Sequence, residues 1–289
     1  MSNTNEVSPL TSIVAGGTAG AVEATLTYPF EFAKTRVQLR SDGRKMPRNP
    51  YAVVLKVYRE EGLRALYKGC STLVVGSIGK DAVRFLCFDS IKRHFADPET
   101  GTLSPLNNLL SGMTAGLFAS ITAVTPTERI KTALIDDAKS GHPRFTSPLH
   151  CVRVLLAEQG FLGGIYRGFI GTTLKQISAT SLRLGSYNII KDAETKAGIG
   201  QGGVTTFANG SAAGILTVYG SQPFDCVKTR AQSAKGEGVM DAVRGIYRDG
   251  GVMGFWRGST MRLGRVILAA GILFTVYEEV AVLVKPVLG

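Results

Sequence analysis

The sequence predicts an all-α membrane protein in which six helical spans are arranged as three repeats. Long uncharged stretches, a motif recurring at a fixed interval, and charges placed inside otherwise apolar segments lead to that reading. Thr102–Thr127 and Ile199–Phe224 contain no charged residue and each runs for 26 residues. A helix needs roughly 20 apolar residues to cross a bilayer. Val7–Val22 and Val266–Tyr277 are also uncharged. Two further segments, near residues 70–91 and 169–190, are interrupted by Lys80, Asp81, Arg84, Lys175 and Arg183. Such intramembrane charges are expected to face a water-filled path or a partner. Gly16-x-x-x-Gly20, Gly112-x-x-x-Gly116 and Gly210-x-x-x-Gly214 are expected to allow close helix approach.

The repeat sets the boundaries. "YPFEFAKTR" begins at Tyr28, "TPTERIKTA" at Thr125 and "QPFDCVKTR" at Gln222, so Pro29, Pro126 and Pro223 lie 97 residues apart. Tyr67-Lys68-Gly69, Tyr166-Arg167-Gly168 and Trp256-Arg257-Gly258 form a second landmark. Phe88, Tyr187 and Tyr277 follow their aromatic partners by 21 residues in every repeat, which predicts an uninterrupted helix between them. The domains are therefore residues 1–100, 101–197 and 198–289. Short amphipathic helices are expected near 52–61, 147–158 and 239–248; the first places Val53, Val54, Val57 and Tyr58 on one face. Their loops hold much of the basic excess, including Arg40, Arg44, Lys45 and Arg48, which puts them on one side of a bilayer and both termini on the other.

Composition excludes several classes. The 289 residues include 33 Lys+Arg and 22 Asp+Glu, a net charge of +11, so the partner is an anion, an anionic membrane or a nucleic acid. Hydrophobic residues make up 44%, which excludes a disordered chain. The four cysteines have no CxxC spacing, so neither a metal nor a cofactor is expected. His94, His142 and His150 form no HExxH, and no GxSxG or GxxxxGK[ST] occurs. No enzyme is expected. Nucleic acid is disfavoured because many of the bases lie inside apolar segments.

The threefold Pro-x-[Asp/Glu]-x-x-[Lys/Arg] pattern with its aromatic-basic-Gly partner resembles the mitochondrial carrier family over roughly residues 10–285. That resemblance implies a threefold pseudo-symmetric barrel of six transmembrane helices with three short matrix-side helices. It implies a multi-pass location in the inner mitochondrial membrane, with termini facing the intermembrane space, and alternating access. The first 30 residues contain no Arg, so no transit-peptide pattern is expected. A single chain holds the whole barrel, so a monomer is expected, with cardiolipin as a lipid partner at the aromatic-basic-Gly turns.

Three helices in a ring allow Glu31–Lys131, Glu128–Lys228 and Asp225–Lys34 to pair cyclically, an arrangement the resemblance assigns to the matrix gate. Gln38 and Gln232 match the family's bracing glutamines, whereas repeat two has Ile135 there and Ala133 in place of the final base. On the opposite side, Asp89 with Lys191 and Glu278 with Lys92 are expected to form a weaker cytoplasmic gate. Seven residues beyond the turn glycines lie Gly76, Lys175 and Arg265, positions that in the family face the cavity. Lys80, Arg84, Gln176, Arg183 and Arg262 join them, with Asp81 and Glu23 as nearby acids. Six bases against two acids specify a multivalent anion, because guanidinium forks match carboxylates and lysines act as movable point charges. Lys175-Gln176 resembles the family's citrate-carrying members. The expectation is exchange of citrate or another tricarboxylate for malate or a similar acid across the inner membrane. A dicarboxylate or oxodicarboxylate carrier and a non-transporting membrane scaffold are the alternatives.

Overall fold

The protein is described from a computed structural model that covers residues 9–39, 47, 49–95, 104–138, 143–198 and 203–288. The described residues are all-α. In order they form α1 (Pro9–Gln38), α2 (Pro50–Glu61), the single turn α3 (Leu63–Leu66), α4 (Cys70–Phe95) and α5 (Pro105–Ala119). Next come α6 (Thr125–Asp137), α7 (Pro148–Ile165), α8 (Phe169–Lys196), α9 (Gly203–Ala231), α10 (Val239–Gly250) and α11 (Ser259–Leu288). A π-helical stretch, Ser120–Val124, joins α5 to α6, and a 3-10 stretch, Val252–Trp256, precedes α11. Long helices pack on their chain neighbours, and α11 returns to pack along α1, so the bundle closes on itself.

Local chemistry starts these helices. Asn49, Ser104 and Ser147 accept backbone N–H bonds from Tyr51, Asn107 and His150, and a proline follows each cap at the first helical position. That pairing satisfies an orphan donor where proline needs none. Pro29 and Pro223 instead sit inside α1 and α9. In repeat two, Pro126 follows the π-helical stretch, which absorbs the backbone disturbance upstream of the proline.

The expectation of six transmembrane helices is corrected. Among the described residues, no helix is both long and apolar enough to cross a membrane. The physical reason is that uncharged is not the same as apolar. The run Thr102–Thr127 spends its length on Asn, Ser, Thr and Gly, and the first of its helices is only 15 residues long. In α9, Thr, Asn, Ser and Gln interleave with the aliphatic residues before Asp225 and Lys228 are reached. In α1, Glu23, Glu31 and Lys34 interrupt the apolar sequence, as do Lys175, Arg183 and Lys191 in α8. The run Val266–Tyr277 lies partly outside the described residues. The multi-pass inner-membrane location, the orientation of the termini, the cardiolipin partnership and exchange across that membrane all rested on these spans and fall with them. The outward faces still carry large apolar side chains, among them Val75, Ile170, Leu216 and Ile267.

The Gly-x-x-x-Gly pairs do not sit at close contacts either. A methyl group added at Gly20, Gly116, Gly210 or Gly214 would meet nothing within 4 Å. Close approaches occur elsewhere, at Gly76 and Gly171 for example, and at the three turn glycines, which have φ of 89° (Gly69), 80° (Gly168) and 85° (Gly258). A Cβ on Gly69 would stand 3.4 Å from Lys131 of repeat two, and one on Gly168 2.6 Å from Gln232 of repeat three. One on Gly258 would stand 3.2 Å from Lys34 of repeat one. Each repeat thus inserts a bare, left-handed turn against the next, beside a ring lysine at Gly69 and Gly258 and beside Gln232 at Gly168.

Gly168→Ala combines a left-handed backbone with a side-chain clash and is expected to lower stability by about 1–3 kcal/mol. Gly17→Ala, in open helix, is expected to raise it by about 0.5–1 kcal/mol. Denaturant unfolding of both variants checks the contrast.

Candidate functional site

The repeated prolines place an acid two residues on and a lysine five residues on, near one end of the bundle. There the structure brings six side chains together. Lys131 Nζ lies 2.9 Å from Glu31 Oε1 and 2.7 Å from Glu128 Oε2. Lys228 Nζ is 3.0 Å from the same Glu128 oxygen. Lys34 Nζ is 2.9 Å from Asp225 Oδ2 and 3.4 Å from Glu31. Three pairs between neighbouring repeats, Lys34–Asp225, Lys131–Glu31 and Lys228–Glu128, bridge all three seams and so make a ring of repeats, and all of these side chains but Glu128 are almost fully buried. A buried charge is tolerated only with such partners.

Gln38 Nε2 donates to Asp225 Oδ2 at 2.9 Å, and Thr229 donates to Gln38 Oε1 at 2.9 Å, so Gln38 joins the Lys34–Asp225 pair to α9. Gln232 Nε2 donates instead to Thr172 Oγ1 on α8, at 3.2 Å. Ile135, in the third such position, is buried in an apolar cluster with Tyr28, Phe32 and Leu73.

Above the ring lies a cavity of about 190 Å³, walled in part by Lys80, Lys131, Lys175, Lys228 and Arg265, with Glu128 as the acid in its lining. Gln176 and Gly76 also border it. Two of the cavity bases reach down to ring acids: Lys175 Nζ is 2.6 Å from Asp225 Oδ1, and Arg265 Nη1 is 3.1 Å from Glu31 Oε2. Arg265 also donates to Thr27 at 3.2 Å and approaches Glu23 at 3.5 Å. Arg262 stands beside the cavity, donating to Ser221 Oγ at 2.9 Å. Arg183 is exposed on α8 and does not border the cavity. The side chain of Arg84 lies outside the described residues. So do those of Asp89, Lys92 and Glu278, three of the four residues expected in a second gate; the fourth, Lys191, is exposed.

Sequence reasoning missed Arg129. Its guanidinium is fully buried and donates to the carbonyls of Gly164, Gln232 and Ser233 and to Gln159 Oε1. The available signal was the missing base at Ala133, one helical turn further on. Cys151 is buried and its thiol is pushed up to about 12 by desolvation, which keeps it protonated and unreactive. The assembled groups form ion pairs and bind charge; a paired nucleophile and base is absent among them.

Asp225→Asn removes a fully buried carboxylate from Lys175 and leaves Lys34 with only its longer contact to Glu31, and is expected to cost about 3–5 kcal/mol. Glu128→Gln leaves Lys131 with Glu31 but takes from the buried Lys228 its one ion pair among the described residues, and is expected to cost a comparable amount. Equilibrium unfolding of the two variants under identical conditions checks both.

The sequence profile described as "Mitochondrial carrier protein" matches residues 5–99, 101–197 and 201–286. The chain is 51% identical to mitochondrial citrate transporter B of Aspergillus niger, covering 94% of this chain and 92% of that protein. It is 42% identical to the tricarboxylate transport protein of Saccharomyces cerevisiae, over 96% of this chain and 97% of the relative. The bovine mitochondrial tricarboxylate transport protein is 36% identical, over 96% and 91%. The paired prolines, the ring they position and these full-length similarities agree: the chain belongs to the mitochondrial carrier family, whose members are transporters rather than enzymes.

Proposed function

We propose that the chain binds a small polycarboxylate, citrate ahead of dicarboxylates, in the cavity above the ion-pair ring, and that the ring gates that end of the cavity. The observation that carries this reading is the lining of five cationic side chains with one carboxylate. Such a wall concentrates positive potential where water is scarce and opposite charge is favoured. Size supports a small acid. At ~30 Å³ per water molecule the cavity holds roughly six waters, below the ~300–1,000 Å³ of pockets that take drug-sized ligands.

The basic residues suit successive carboxylates. Arg265 has a fork that can exchange its contacts with Glu31, Glu23 and Thr27 for one ligand carboxylate, whereas Lys80 and Lys175 follow the others as movable point charges. An anion in the cavity competes with Asp225 for Lys175 and with Glu31 for Arg265. Its binding therefore loosens the ring it rests on. The similarity to proteins named as citrate and tricarboxylate transporters supports the same ligand class. Passage across the inner membrane is no part of this proposal, since the described helices supply no span for it.

Isothermal titration of the purified chain with citrate, malate, 2-oxoglutarate and ADP tests the reading. Citrate is expected to bind about tenfold more tightly than malate, a difference of about 1.4 kcal/mol, and ADP more weakly than either. Lys175→Ala is expected to weaken citrate by about ten- to a hundredfold. Raising the salt from 0.05 to 0.5 M is expected to weaken all of the anions. Equal affinity for citrate and malate would favour a dicarboxylate ligand, and no binding of any anion would refute the proposal.

A further inference from the structure

In repeats one and three the base seven residues after the proline pairs within its own repeat. Arg36 pairs with Glu61 of α2, and Arg230 with Glu237 at 3.1 Å and Asp249 at 2.7 Å. Repeat two carries Ala133 at that position, fully buried. Where Glu61 precedes the positive-φ glycine Gly62, repeat two has the neutral Gln159 before Gly160. The Arg–Glu pair of repeat one is missing on both sides, and Glu158, in register with Asp249 of repeat three, pairs with Arg144 instead. A different connection takes the place of the missing pair.

Arg129, one turn earlier on α6, turns its guanidinium across the seam between repeats two and three. Nη1 donates to Gln232 O at 2.8 Å and Ser233 O at 2.6 Å, just past the end of α9. Nε donates to Gly164 O at 3.0 Å and Nη2 to Gln159 Oε1 at 3.1 Å, both within repeat two. Two more side chains grip the same stretch. Asp136 Oδ2 accepts from Ala234 N at 2.8 Å, and Gln159 Nε2 donates to Ala234 O at 3.4 Å. Residues 232–234 are thus held by three side chains of repeat two. Every partner of the Arg129 guanidinium is a neutral oxygen, so parting this seam strands a buried cation with no counter-charge. The tether also pins the backbone of Gln232, whose side chain then reaches Thr172.

We propose that Arg129 is a positioning residue that locks the seam between repeats two and three, so that the ring opens at the other two seams while α6, α7 and α9 move together. The inference rests on the reading of the ring as a gate. It makes the movement of a pseudo-threefold molecule asymmetric, with the Glu128–Lys228 pair carried along inside the locked unit.

Pairs of spin labels across each seam test it in the full-length chain, with Cys70 and Cys87 replaced by alanine. Leu162→Cys with Lys235→Cys spans the second and third repeats. Leu63→Cys with Leu149→Cys spans the first and second, and Tyr51→Cys with Met253→Cys the first and third. Upon citrate addition, the distances across the latter two seams are expected to lengthen while the 162–235 distance stays within 1–2 Å. Arg129→Ala is expected to let the 162–235 distance lengthen as well; Arg129→Lys, which keeps the charge but loses the fork, gives a partial effect if the alanine variant does not fold. Arg129→Ala combined with Ala133→Arg and Gln159→Glu rebuilds the pairing of repeat one. It is expected to recover thermal stability while leaving the seam free to open, a split that a merely structural role does not produce. Equal lengthening at all three seams in the unaltered background overturns the lock. No lengthening at any seam while titration shows citrate binding overturns the gate reading and the lock with it. No citrate binding at all overturns the anion proposal first.

Discussion

The structure depends on a constraint of charge burial: three acids and three lysines are withdrawn from water at one end of the bundle, and none is tolerable there alone. Lys131 between Glu31 and Glu128, and Asp225 between Lys34 and Lys175, show how the constraint is met. Each charge takes its counter-charge from another repeat, so no single repeat is electrostatically complete. The closed bundle follows from this. Gly69 and Gly258 pack beside Lys131 and Lys34 of the next repeat, where a side chain would crowd the ionic groups, and Gly168 packs beside Gln232.

The ring and the cavity are one electrostatic system rather than two sites. Arg265 and Lys175 belong to the cavity wall and also contact ring carboxylates. Charge entering the cavity is felt by the ring through direct contacts a few ångströms long, without any relay. Ionic pairs withdrawn from water are costly to break, so the ring and the cavity wall are coupled through the contacts they share. The asymmetry of repeat two is superimposed on this scheme. Ala133, Gln159 and Ile135 remove the polar elements that the other repeats use, and Arg129 supplies a cross-seam tether in their stead.

Much of this was legible from residue spacing. The 97-residue interval between prolines located all six ring residues, and the family resemblance, applied seven residues beyond the turn glycines, pointed to Lys175 and Arg265. These are local rules, in which helical geometry converts a fixed spacing into a fixed face and depth. The membrane spans were not legible in the same way. A run such as Ile199–Phe224 lacks charge but is filled with Gly, Ser, Thr, Asn and Gln, and absence of charge says little about transfer into hydrocarbon. The Gly-x-x-x-Gly pairs misled for a related reason: a small residue permits close approach, but only the placement of a neighbouring helix makes it happen.

By itself the sequence determined the threefold repeat, the all-α class and the positions of the ring acids and lysines, because each follows from composition or from spacing along one helix. Only the tertiary structure decided that Lys175 and Arg265 also reach ring acids, that Gln232 turns to Thr172 while Gln38 joins a ring pair, and that Arg129 crosses to the third repeat. Those choices depend on distances between residues about 30 to 190 positions apart. Such distances are set by how the helices pack around the buried charges, and no local pattern encodes them.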